Sequence, residues 1–148
     1  MRLTASAPLS AAPEAAYGAL ADLGTYPGWL GIVRSAVPVA AVAGETGPAW
    51  SVDLGARVGP LWKTKRVRMV RVEARVPKLV RFERVEHDGR SHSPWVLTGE
   101  VEVDERGTLV TVDLFYGGNR WLPLADRLLR DEVAKAGARL EAHLAKSG

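Results

Sequence analysis

The chain of 148 residues contains no cysteine, which removes disulfides, thiolate nucleophiles and cysteine metal sites from consideration. Phenylalanine and tyrosine are scarce, with two and three residues, so five tryptophans supply most of the aromatic surface. No stretch approaches the roughly 20 consecutive apolar residues that a membrane-spanning helix needs. The opening Met1-Arg2-Leu3-Thr4-Ala5 lacks the apolar run of a secretory leader, and a reducing, cytoplasmic setting is the expectation. Gly117-Gly118-Asn119 is the nearest approach to a glycine-rich phosphate loop, and it has no accompanying lysine motif. Of the three histidines, His87 and His92 flank Asp88-Gly89-Arg90-Ser91, a loop pattern in which exposed side chains are commoner than metal ligands. Ser91, Ser93, His92 and Asp88 crowd around the same turn, which suits a hydrolytic triad badly. No metal and no cofactor is expected.

What is present fits one globular domain spanning 1–148, with 47% hydrophobic and 25% charged residues. The net charge of +3 is uneven: between Arg57 and Arg90 stand eleven Lys/Arg and four acids. Such a block steers anions when it forms a patch. It is equally the composition of solvent-facing strand positions, and nucleic acid is not the expected partner.

The order of patterns carries more information. Arg2–Pro8 reads as an edge strand with Leu3, Ala5 and Ala7 on one face. Ser10-Ala11-Ala12-Pro13-Glu14 reads as the opening of a helix, with Ser10 a suitable N-cap and Glu14 in its first turn. Ala16, Tyr17, Leu20 and Leu23 follow at helical spacing, Gly24 marks the end, and Tyr26-Pro27-Gly28-Trp29-Leu30 reads as a turn or second short helix. Strand patterns then occupy Val33–Val42, Ala49–Val58, Leu61–Arg75, Leu79–His87, Ser93–Asp104 and Thr108–Tyr116. Their short Gly-, Pro- and Asp-containing separators join antiparallel neighbours, because a parallel crossover needs a dozen or more residues. Parity sends Trp50, Val52 and Leu54 inward, as it does Trp95, Leu97, Gly99, Val101 and Val103, and Val110, Val112, Leu114 and Tyr116. From Pro123 a helix is predicted, with Leu124, Leu128, Val133, Ala136, Leu140 and Leu144 as its apolar stripe.

The segments Ser10–Tyr17, Leu20–Leu23 and Tyr26–Leu30 resemble the opening of bacterial polyketide cyclase/dehydrase-type proteins of the START/birch-pollen-allergen (SRPBCC) superfamily. Val72–Phe82 is similar to the middle signature of that family and Leu122–Leu144 to its terminal helix, so the likeness spans essentially the whole chain. The resemblance implies an α+β helix-grip fold. A seven-stranded antiparallel sheet would wrap a long C-terminal helix, with two short helices after the first strand. It implies a cavity between sheet and helix for a hydrophobic, lipid- or polyketide-like molecule, in a monomer or weak dimer. The alternative it implies is an aromatase/cyclase or dehydratase acting on a chain held by an acyl carrier protein. No catalytic residue is common to the family.

Leu61–Arg75 is the segment richest in possible chemistry. If Val70 and Val72 face inward, Arg66 and Arg68 follow them to the cavity side, where they could orient a ligand or stabilise an enolate. A bulge between Lys65 and Met69 would reverse this and send Val67 and Met69 inward. Val80 and Phe82 carry Arg84 and Glu86 with them, and an ion pair of Arg84 or Arg68 with Glu86 is the structural alternative to a ligand-holding guanidinium. The catalytic candidates are therefore Arg66, Arg68, Glu86 and Tyr116. Candidate ligand contacts are Val70, Phe82, Arg84, Trp95, Leu97 and Tyr116, together with the two arginines. Trp29, Trp62 and Trp121 stand near loop ends, and Leu124 and Leu128 lie on the final helix.

Overall fold

The computed structural model describes residues 2–117 and 125–147. Seven strands form one antiparallel sheet in the order β1-β7-β6-β5-β4-β3-β2. The strands are β1 (Arg2–Leu9), β2 (Val33–Val39), β3 (Ala49–Val58), β4 (Leu61–Arg75), β5 (Leu79–Arg84), β6 (Trp95–Asp104) and β7 (Gly107–Tyr116). Helix α1 (Pro13–Ala21) and a 3₁₀ helix (Leu23–Gly28) follow β1, and α2 (Ala125–Ser147) closes the chain. Every neighbouring pair is antiparallel, as the short connections require for the five consecutive pairs from β2 to β7, and β1 joins the sheet antiparallel to β7. The fold is the helix-grip arrangement.

The start of α1 differs from expectation. Its N-cap is Ala12, without a side-chain cap, and Pro13 occupies the first turn, where the missing N–H costs nothing. Ser10 instead reaches across the molecule: its Oγ donates to Glu141 of α2 at 2.5 Å, and its backbone N–H donates to the same carboxylate at 3.0 Å. The carboxyl of Glu141 is held below its ordinary range by these bonds. Asp22 ends α1 and accepts from Gly24 N–H at 2.8 Å, which starts the 3₁₀ helix, so Gly24 lies inside that helix and does not end α1.

Two devices fill the concave face of the sheet. Over β3, β4 and β5, the short helices insert Leu20, Tyr26 and Trp29 against Trp50 and Phe82, all buried. Ring centroids lie 4.3 Å apart for Tyr26–Trp29, 6.3 Å for Tyr26–Phe82 and 5.6 Å for Trp50–Phe82, within the range of favourable aromatic contact. Burial pushes the Tyr26 phenol far above its ordinary pKa, and its hydroxyl donates to the Leu20 carbonyl at 2.8 Å. Over β1, the cover is α2, which presents Val133, Ala136 and Leu140 to the core. Contact there is close, because a Cβ placed on Gly137 would stand 2.6 Å from the Ala7 Cβ. Inward parity holds in β6 and β7, except that Val103, close to the β6–β7 turn, is 65% exposed.

Strand β4 departs from the expected register. Its pairing with β3 sets Met69 opposite Trp50, Val67 opposite Val52 and Lys65 opposite Leu54. The odd-numbered residues therefore face the core there, and Val67 and Met69 are buried. The pairing with β5 shifts between Arg71 and Glu73, leaving Val72 as the extra residue. Arg71 thus faces inward opposite Phe82, and its Nη1 donates to the Ala21 carbonyl at the end of α1 at 3.0 Å, a favourable place for a cation at a helix C-terminus. Val70 points to the opposite face. It is buried but lies outside the main core cluster.

Candidate functional site

Among the described residues an apolar void of about 110 Å³ lies between β1, β6, β7 and α2. The sheet contributes Ala5, Ala7, Leu97, Val110, Val112 and Leu114 to its wall. Helix α2 contributes Val133, Ala136, Gly137 and Leu140, and Trp29, Leu30 and Ile32 close the remaining side. The void sits where the chain uses small side chains. Ala5 and Ala7 on β1 face Ala136 and Gly137 on α2, and no large ring fills that half of the face as the aromatic cluster fills the other. Its wall is apolar except for Ser6, whose hydroxyl is paired with Thr111 at 2.8 Å, and the Trp29 indole N–H is turned to Thr25 Oγ1 at 3.2 Å.

Of the ligand contacts expected from sequence, Trp29 and Leu97 line this void. Phe82 belongs to the aromatic plug over β3–β5 and does not reach it. Val70 is on the other face of the sheet, for the register reason given above. Trp95 is buried and stacks on Tyr116 at 5.1 Å between centroids, past the end of the void. Trp62 is 55% exposed near the β3–β4 turn, with the Arg34 guanidinium 5.1 Å from its ring centroid. Trp121 and Leu124 lie outside the described residues, as does the predicted helix start near Pro123, and so does the side chain of Leu128.

The four catalytic candidates do not converge. Arg66 projects from the convex face and pairs with Asp53 of β3, its Nε donating at 2.7 Å and its Nη2 at 3.3 Å. Arg68 grips Glu45 with both terminal nitrogens, at 2.6 and 2.8 Å, and also donates to the carbonyls of Ala40 and Val85. This clamp, with His87 Nε2 at 2.9 Å from Glu45, fastens the 40–45 segment to the convex face. The Glu45 carboxyl is held far below the usual carboxylate range, chiefly by its bond to Arg68 and then by that to His87. Glu86 accepts from Arg84 Nε at 2.7 Å and from the Arg68 backbone N–H at 3.2 Å. Arg84 is inward, as parity predicts, and is fully engaged: Nη1 donates to the Ser93 carbonyl and Nη2 meets His92. His92 is held in turn by Asp88 at 2.8 Å.

Lys65, like Arg71, is an inward cation that sequence parity did not select. Its Nζ lies 5.7 Å above the Trp95 ring and donates to Ser93 Oγ at 3.4 Å. Burial lowers its pKa from the ordinary lysine value, and the neighbouring Arg84 charge adds to that. The alternation of Trp50, Val52 and Leu54 in β3 is the signal that could have found it, once β3 is paired antiparallel to β4 through the Gly59-Pro60 turn.

The sequence profile described as polyketide cyclase / dehydrase and lipid transport matches residues 1–145. No curated protein matches the chain. Among solved structures, a START superfamily protein from Mycobacterium smegmatis is similar over 99% of both chains at 13% identity, with a TM-score of 0.71. Protein NE0264 from Nitrosomonas europaea is similar over 99% of this chain and 96% of its own, at 12% identity and a TM-score of 0.70. The ginseng major latex-like protein 151 from Panax ginseng matches over 97% of this chain and 96% of its own, at 14% identity and a TM-score of 0.67. At these identities the likeness is one of fold. No described helix is long and apolar enough to cross a membrane.

Proposed function

The chain belongs to the polyketide cyclase/dehydrase and lipid-transport family, and from that premise we propose that it binds a small hydrophobic molecule between its sheet and α2. The observation that carries the reading is the apolar void of about 110 Å³ bounded by Trp29, Leu97, Val112 and Leu140. An engineered cavity of about 150 Å³ with similar walls binds benzene, so the void matches one small ring or a short alkyl chain. Whole drug-sized ligands occupy about 300–1,000 Å³, so a longer guest requires α2 to move outward or the guest to extend beyond the void.

Binding is favoured over ring-closing chemistry by what faces the guest. Catalysis of cyclisation or dehydration needs a proton donor, acceptor or oxyanion partner within about 3 Å of the reacting atoms. The wall is apolar except for Ser6, whose hydroxyl is paired with Thr111, Arg66 and Arg68 are committed to Asp53 and Glu45, and Glu86 is committed to Arg84.

The test is thermal unfolding with benzene, toluene and 1-hexanol. A ligand at 100 times its Kd adds about 2.7 kcal/mol of stability, equivalent to a Tm rise of roughly 5–11 °C for a chain of this size. Ala136→Leu fills the void from α2 and should abolish the rise while leaving a cooperative transition. Absence of any rise in the parent protein would refute the reading.

A further inference from the structure

We infer that the guest is an amphipathic anion, with its acidic head held at Arg34 and Lys65 and its apolar tail in the void beneath α2. This rests on the binding proposal above and adds the chemistry of the head group.

Three spaces are linked in series by shared lining residues, the first and third having none in common. The apolar void shares Ile32 with a second cleft of about 270 Å³ that is also lined by Arg34, Arg57, Trp62 and Glu132. That cleft shares Arg34 and Trp62 with a third, of about 520 Å³, whose lining adds Asp53, Leu54, Thr64, Lys65 and Arg66. The lining thus runs from hydrocarbon at Leu97 and Val112, past Ile32, to an indole and cations at the rim.

The rim cations divide into satisfied and unsatisfied. Arg66 is neutralised by Asp53, and Glu132 at the other side is taken by Arg139 at 2.8 Å. Arg34, Lys65 and Arg57 have no carboxylate within ion-pair distance among the described residues, and Arg57 turns back to the Gly59 carbonyl. Arg34 and Lys65 lie against indole faces instead, Arg34 at Trp62 and Lys65 at Trp95. Between Asp53 and Glu73 the chain carries six basic residues and no acid. Lys65 is also partly desolvated, and its pKa is lowered by that burial and by Arg84. A cation taken out of water without an opposite charge is costly, and an incoming carboxylate or phosphate relieves that cost while its own charge is met. Trp62 and Leu54 give the head an apolar shelf, so an acid joined to a short chain or ring is accommodated better than a free inorganic anion.

The experiment compares hexanoate with 1-hexanol, which share a tail and differ in the head, by isothermal titration at pH 7 and low ionic strength. The expected result is that the parent binds hexanoate at least about tenfold more tightly, since a charge-assisted bond contributes roughly that factor. Lys65→Met and Arg34→Gln should each erode the preference and together remove it, leaving 1-hexanol affinity unchanged. Lys65→Arg should retain it. Arg34 is exposed, so its substitution reports even if the Lys65 variant folds poorly. Equal binding of both probes by the parent overturns the head-group inference and leaves the cavity reading intact. A preference that survives the double substitution overturns the assignment to these residues. If neither probe binds and Ala136→Leu changes nothing, the cavity reading fails first and this inference falls with it.

Discussion

Replacing Gly137 with alanine tests how closely α2 is seated on the sheet. In an exposed helix interior the change from glycine to alanine gains up to about 1 kcal/mol of stability, because the backbone loses less freedom on folding. Gly18 in α1 meets this condition: nothing lies within 4 Å of a Cβ built there. Gly18→Ala should therefore raise stability by about 0.5–1 kcal/mol. At Gly137 the new methyl would stand 2.6 Å from the Ala7 Cβ, far inside contact distance, and α2 must shift outward. Overpacking of this kind costs about 1–3 kcal/mol, which outweighs the propensity gain and leaves a net loss of about 1 kcal/mol. The two variants should differ by about 2 kcal/mol, or roughly 4–8 °C in Tm, read by calorimetry or by urea unfolding at constant slope. Ala7→Gly in the Gly137→Ala background should recover part of the loss as a coupling energy of about 1 kcal/mol. Toluene should bind the Gly137→Ala variant more tightly if the helix has moved off the void. Equal stabilisation by both glycine substitutions would show that α2 does not rest on Ala7, and the cavity would have to be redrawn.

Further outcomes follow from the polar clusters. Arg84→Met should cost about 3 kcal/mol, because Arg84 and Glu86 side chains are only 8% and 18% exposed and Glu86 loses its charge partner; Arg84→Met with Glu86→Leu should recover much of that, as denaturant midpoints would show. Glu45→Gln should free the 40–45 segment, read as faster limited proteolysis there with little change at α2. The carboxyls of Glu45, Asp53, Asp88 and Glu141 are all depressed by hydrogen bonds to their partners. Their contribution is therefore complete above the unfolded carboxylate pKa of about 4 and is lost as pH falls below it through the folded values. The parent should lose stability between about pH 5 and pH 2, and Glu45→Gln should show a shallower decline; an identical pH profile would sink the Arg68–Glu45 clamp as a stabilising element.

The architecture was readable because its punctuation is local. The β3 and β4 boundaries follow from Gly59-Pro60 and Val76-Pro77, and the inward sets of β6 and β7 follow from simple alternation. What could not be read has three physical sources. Ser10 has the chemistry of an N-cap but bonds Glu141, more than a hundred residues away in sequence, a tertiary choice no local rule anticipates. Val70 is apolar for a reason outside the main core: it shares the convex face with Arg68, whose clamp draws the 40–45 segment over that side. The void itself is defined by small residues, Ala5, Ala7, Ala136 and Gly137, whereas the large aromatics that drew attention as contacts mostly fill space or cap its end.

The shift at Val72 has a consequence for how pocket residues are compared between relatives. On one side of it the odd positions of β4 face the core, and beyond it the even ones do, as Ala74 opposite Val80 shows. A cousin whose strand runs straight through that point would place an arginine where this chain buries a valine, with an ungapped alignment between them. Transferring an interior side chain across β4 by column alone would then exchange inside for outside, so such homology should be counted outward from the kink in both directions.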